Sequence, residues 1–185
     1  MAEVTIANNG NPTLKLPGQG GPFWVSENVG AYVYVDWSSD VGARATSTGV
    51  SGWGSAIVAE AGSIGGFNCW FEPATPGLSS DSIHCSWLDN DAGDTLKYAA
   101  FDVSAQTWGT IRSIAIGLTY DATDRYNRTW ISVSRSGNIG VAYQILDTTT
   151  GSEGFYVSAD TGATWTSKAS PWDHSSTTQV DELHL

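Results

Sequence analysis

Phe155-Tyr156-Val157-Ser158-Ala159-Asp160-Thr161-Gly162-Ala163-Thr164-Trp165 reads as a strand that runs into a turn and ends on an anchor. The apolar, aromatic run at its start has the composition of a half-buried strand. Asp160 is the kind of side chain that accepts hydrogen bonds from backbone N–H groups a few residues on, and Gly162 supplies a backbone conformation with φ > 0. Trp165 is large enough to pin the returning strand to a core. The hairpin is therefore specified locally, and the rest of the chain is read outward from it.

Working upstream, the same succession occurs three times from Phe23 onward: an aromatic-bearing strand, an alternating strand that ends in acid, a polar turn, a third strand and a closing Trp. Trp53, Trp108 and Trp165 are separated by 55 and 57 residues, and Tyr34, Trp87 and Tyr143 by 53 and 56. Trp24, Trp70 and Trp130 follow at 46 and 60, and this recurrence predicts that they pack between neighbouring units. Periods of this order mark propellers or solenoids.

The first two units carry eroded versions of the turn. Ser47-Thr48-Gly49-Val50-Ser51-Gly52-Trp53 lacks the acid, and Asp102-Val103-Ser104-Ala105-Gln106-Thr107-Trp108 keeps only Thr-Trp. The full version, Ser158-x-Asp160-x-Gly162-x-Thr164-Trp165, resembles the Asp-box, or bacterial neuraminidase repeat, of sialidase-like β-propellers. In that family the motif lies at the outer edge of a blade, away from the ligand site, so the resemblance implies a fold more than an activity.

The expected fold is all-β and of β-propeller type, with three four-stranded antiparallel blades. Residues 1–21 are read as an N-terminal arm, 22–63 as the first blade, 64–120 as the second and 121–178 as the third, with its Asp-box. Residues 179–185 resemble the opening strand of a further blade. Propellers usually close with four to eight blades, so a chain with three exposes edges. A homo-oligomer or another chain is expected to cover them.

Composition narrows the partners. The 185 residues carry 8 basic and 19 acidic side chains, a net charge of −11 that repels phosphate backbones and anionic membranes. Nucleic acid is excluded as a natural partner on that ground, and no apolar stretch is long enough to insert in a bilayer. The start, Met1-Ala2-Glu3-Val4, lacks the basic and apolar regions of an export signal, which suggests synthesis in the cytoplasm, with incorporation into a virion as one destination. Cys69 and Cys85 lie on neighbouring predicted strands as a bonded pair or as two buried thiols.

Candidate chemistry is sparse. Sialidases imply an Arg-Ile-Pro, three clamping arginines and a Tyr activated by a carboxylate, but no Arg-Ile-Pro occurs here. Tyr34 beside Asp36 or Glu27 is the nearest approach to a nucleophile, and no catalytic residue is assigned. Arg125, Arg128 and Arg135 flank the third inner strand and, with Trp172 and Asp173, form the candidate glycan contacts. Asp89, Asp91 and Asp94 cluster on one turn, where closely spaced carboxylates can hold calcium, although the order departs from an EF-hand. A plain hairpin turn is the alternative, and no other cofactor is indicated. The resulting expectation is a non-catalytic module for glycan binding or particle structure, suited to the surface of a phage or virus. The rival is a sialidase-type glycosidase whose site is completed by oligomerisation or by a missing C-terminal half.

Overall fold

The computed structural model describes residues 21–36, 38–62, 64–72, 81–89, 95–118, 126–146 and 151–169. Residues 1–20 of the N-terminal arm, the further strand at 179–185, Arg125, Asp91, Asp94, Trp172 and Asp173 lie outside them. The described residues form three antiparallel sheets and no α-helix. The first contains β1 (Phe23–Trp24), β2 (Gly30–Val35), β3 (Val41–Thr46) and β4 (Ile57–Glu60) in sequence order. A short 3-10 turn, Gly49–Ser51, precedes β4.

The second sheet contains β5 (Ile64–Trp70), β6 (Ser82–Asp89) and β7 (Thr95–Asp102). Its fourth strand is broken in two, with β8 (Thr107–Trp108) and β9 (Arg112–Ala115) both pairing with β7. The third sheet contains β10 (Tyr126–Val133), β11 (Ile139–Leu146), β12 (Gly151–Ser158) and β13 (Thr166–Lys168). The architecture is all-β and propeller-type, with three blades of one plan.

Strand period fixes which way each side chain faces. In β2 and β3, Ala31, Val33, Val35, Val41, Ala43 and Ala45 turn toward the second sheet, which answers with Phe67, Ile83, Cys85, Trp87, Ala99 and Phe101. The alternate residues of the second sheet, including Trp70, Leu88, Leu96 and Tyr98, turn toward Ile131, Ile139, Val141, Tyr143 and Ile145 of the third. Each sheet thus has a trailing face toward its predecessor and a leading face toward its successor. Burial of these two cores supplies the main stabilisation of the stack. Gly66 permits a close backbone approach at the second interface, since a Cβ there would stand 2.8 Å from the Asn127 carbonyl oxygen.

Register tests the aromatic repeat. Tyr34, Trp87 and Tyr143 pair with Gly42, Lys97 and Gly154 in matching places of the three sheets, all on trailing faces. Trp24, Trp70 and Trp130 do not match. Trp70 sits opposite His84 and packs in the second interface, whereas Trp130 sits opposite Ala142, two residues out of step with it. Trp24 sits opposite Gly30 on the trailing face of the first sheet. Only Trp70 of the three packs between sheets, because an odd change of spacing reverses the face in a two-residue period and an even one shifts the place along the strand.

Candidate functional site

The closing tryptophans are built by their turns. In the third sheet the Asp160 carboxylate accepts from the Thr164 N–H at 2.8 Å, the Thr164 hydroxyl at 2.6 Å and the Ser158 hydroxyl at 2.7 Å. Ser158 Oγ in turn accepts from the Gly162 N–H at 2.8 Å. The Thr164 hydroxyl and N–H, followed by Ser158, hold the Asp160 carboxyl down at about 2, so it stays ionised. Gly162, at φ +90°, lies against the Tyr98 ring, and Trp165 meets that ring edge-on at 5.2 Å. The motif therefore holds the third sheet to the second. Ser158, Asp160, Gly162, Thr164 and Trp165 act together as a structural clasp.

Trp108 does the same one sheet earlier, meeting Phe101 at 5.1 Å and donating from Nε1 to the Ile57 carbonyl of β4 at 2.9 Å. In the first sheet, the Thr48 N–H donates to Thr46 Oγ1 at 3.1 Å, an echo of the contact between Asp160 N–H and Ser158. Trp53 there lies against Trp24 at 5.9 Å.

Polar groups gather at the opposite end of the strands. Glu60 ends β4 and Asp89 ends β6, and Lys97 stands on the trailing face of β7 between them. Lys97 Nζ donates to Glu60 Oε1 and, at 2.5 Å, to Asp89 Oδ2, while Trp87 Nε1 donates to Glu60 Oε2 at 2.6 Å. All three charged side chains are less than one-fifth exposed. Burial alone would lower the Lys97 pKa, but the hydrogen bonds and charges of Asp89 and Glu60 overcome it and the net shift is upward.

The cluster is a shared ammonium with net charge −1, tying the first sheet to the second. Its carboxylates are hydrogen-bonded to a fixed cation, so they are not set up as an acid and base pair. At the same end of the third sheet, Asn127 Oδ1 and Gln144 Oε1 are buried without a hydrogen-bond partner, and Arg128 stands opposite Gln144. Arg135 occupies the β10–β11 turn, about 23 Å of strand away from Arg128, so one clamp cannot use both.

Of the calcium candidates, Asp89 already gives an oxygen to Lys97, and a divalent ion there would have to displace the ammonium. Among the described residues no three His, Cys, Asp or Glu side chains converge as metal ligands. Tyr34 stacks on Tyr32 at 5.8 Å, and Asp36 Oδ1 accepts from the Ser38 and Asp40 N–H groups at 2.8 and 3.1 Å. His84 and Tyr98 share a 2.7 Å hydrogen bond; burial lowers His84 to about 4 and, with the Cys85 charge second, raises Tyr98. Cys69 and Cys85 face each other in register with no disulfide between them.

Glu60 and Lys97 were not singled out from sequence. A signal was present: Lys97-x-Ala99-x-Phe101-x-Val103 places a cation on an otherwise apolar strand face. Its partner Glu60 lies 37 residues away, beyond any local pattern.

No helix among the described residues is long and apolar enough to cross a membrane. No family model matches the sequence, and no curated protein matches it. Among solved structures, Hadza microbial sialidase Hz136 is similar at 17% identity and a TM-score of 0.37, over 75% of this chain and 34% of that one. The chain thus spans about a third of that neighbour's length.

Proposed function

We propose that this chain is a non-catalytic, sialidase-like propeller module whose work is contact, with a glycan or with components of an assembly such as a phage or virus particle. The observation that carries the reading is the state of the acids at the strand ends. A glycosidase needs two carboxyl groups able to exchange protons, or a tyrosine made nucleophilic by a carboxylate. Glu60 and Asp89 instead share the Lys97 ammonium, and Glu60 also holds the Trp87 indole. Tyr32, Tyr98 and Tyr143 are each shifted upward, chiefly by burial, which is the wrong direction for a nucleophile.

Assembly is the better supported half. The trailing face of the first sheet carries the half-buried Trp24, Tyr32 and Trp53 and the buried Tyr34, none of which belongs to either interface core. Arg128 is the glycan contact retained from the sequence, since it lies at the same end as the polar cluster.

The test is incubation of the purified chain with a fluorogenic sialoside. No release above the buffer control is expected. Turnover that falls on Glu60→Gln or Asp89→Asn would overturn the reading. Titration with sialyllactose, followed by tryptophan fluorescence, checks the glycan half: saturable quenching that Arg128→Ala weakens supports it.

A further inference from the structure

We propose that the trailing face of the first sheet receives the leading face of the third sheet of a second copy of this chain, so that two copies close head to tail into one ring. The inference deepens the assembly reading above and rests on it.

The two internal interfaces supply the rule. In each, the closing tryptophan of one sheet seats on the sheet before it: Trp108 reaches the Ile57 carbonyl of the first sheet, and Trp165 meets Tyr98 of the second. Trp53 is the remaining member of the set, and no described strand precedes its sheet. Three residues before Trp165, Gly162 lies on Tyr98; three residues before Trp53, Val50 is 66% exposed. An apolar side chain so exposed, at the place where the third sheet's turn touches the neighbouring sheet, marks a contact surface.

The receiving position is also present. Tyr98 follows Lys97, the partner of Trp87, and Phe155 follows Gly154, the partner of Tyr143. Phe155 is thus the third-sheet counterpart of Tyr98, an aromatic ring on the leading face, and it belongs to neither interface core.

Contact between two different faces generates a ring when the rotation closes. Counted over the described residues, two copies bring six sheets, within the range of about four to eight at which propellers close, whereas three would bring nine.

Size-exclusion chromatography with light scattering on the 185-residue chain reads the state directly. A mass near twice 19.6 kDa is expected. Val50→Asp and Phe155→Glu should each weaken association at least about tenfold, with circular dichroism confirming an intact fold. Mixing the two variants should restore dimer, since the sound trailing face of one meets the sound leading face of the other. A monomeric parent chain, variants that both remain dimeric, or a mixture that stays monomeric would overturn the proposal. So would a chain that dimerises only once residues 1–20 are removed, which would make its own arm the occupant. Mass is read independently of turnover, so this outcome and that of the sialoside assay can fail separately.

Discussion

Replacing Lys97 with Met removes the ammonium shared by Glu60 and Asp89 while keeping a side chain of similar volume. Two carboxylates are then left together beside the Trp87 indole. Breaking a buried ion pair by deleting one partner costs about 3–5 kcal/mol. The 13–19% exposure of these side chains lets solvent screen part of that, which brings the expected loss to about 2–3 kcal/mol. For a chain of this length each kcal/mol moves Tm by about 2–4 °C, so Lys97→Met should melt about 4–12 °C lower.

The pH dependence gives the sign. Lys97 has a raised folded pKa, so its contribution is fully present below the unfolded value, about 10.4, and is lost as pH rises through the folded value. The deficit of Lys97→Met should therefore be full at about pH 7 and smaller at about pH 11, above the unfolded value. Glu60→Gln in the Lys97→Met background should recover about half of the lost stability, because one charge is gone while an acceptor for the indole remains. Thermal melts by circular dichroism at the two pH values decide the matter. A shift under about 1 °C at the lower pH, or a deficit that grows at the higher one, would refute the reasoning.

His84 is held well below its ordinary range by burial, at about 4, so its contribution is present above about 6.5 and fades as pH falls toward about 4. Urea titrations should show about 2–3 kcal/mol lost between pH 7 and 4.5, a slope that His84→Phe flattens. Gly162→Ala adds a Cβ 2.3 Å from Tyr98 Cε1 at a φ of +90°, and should cost about 1–3 kcal/mol by chemical denaturation. Trp108→Phe keeps an aromatic ring but deletes the donor to the Ile57 carbonyl, and should cost about 0.5–1.5 kcal/mol in the same assay.

The hairpin at Ser158–Trp165 was legible because every bond that shapes it is local: Asp160 to Thr164, Ser158 to Gly162, and Trp165 Nε1 to the Gly162 carbonyl. The middle strands were legible for a similar reason, since alternation alone sets their faces. The inner tryptophans misled. A Trp announces a strand without announcing its face, and the bulge between Ile64 and Gly66 changes the register just upstream of Trp70. The polar cluster was hidden for another reason. Glu60 and Lys97 belong to different sheets, and only the stacking of those sheets brings them together. The second sheet's outer edge is likewise split into β8 and β9 around Gly109–Ile111, and a register shift between Leu96 and Lys97 interrupts the β9 pairing; no residue type announces either.

A double-mutant cycle on Tyr98 and Trp165 bears most directly on the idea that each closing tryptophan grips the sheet before it. The two residues are 67 positions apart in sequence and meet edge-on at 5.2 Å. Tyr98→Leu, Trp165→Leu and the pair, measured by urea denaturation, should give a coupling of about 0.5–1.5 kcal/mol. Strictly additive losses would contradict the account.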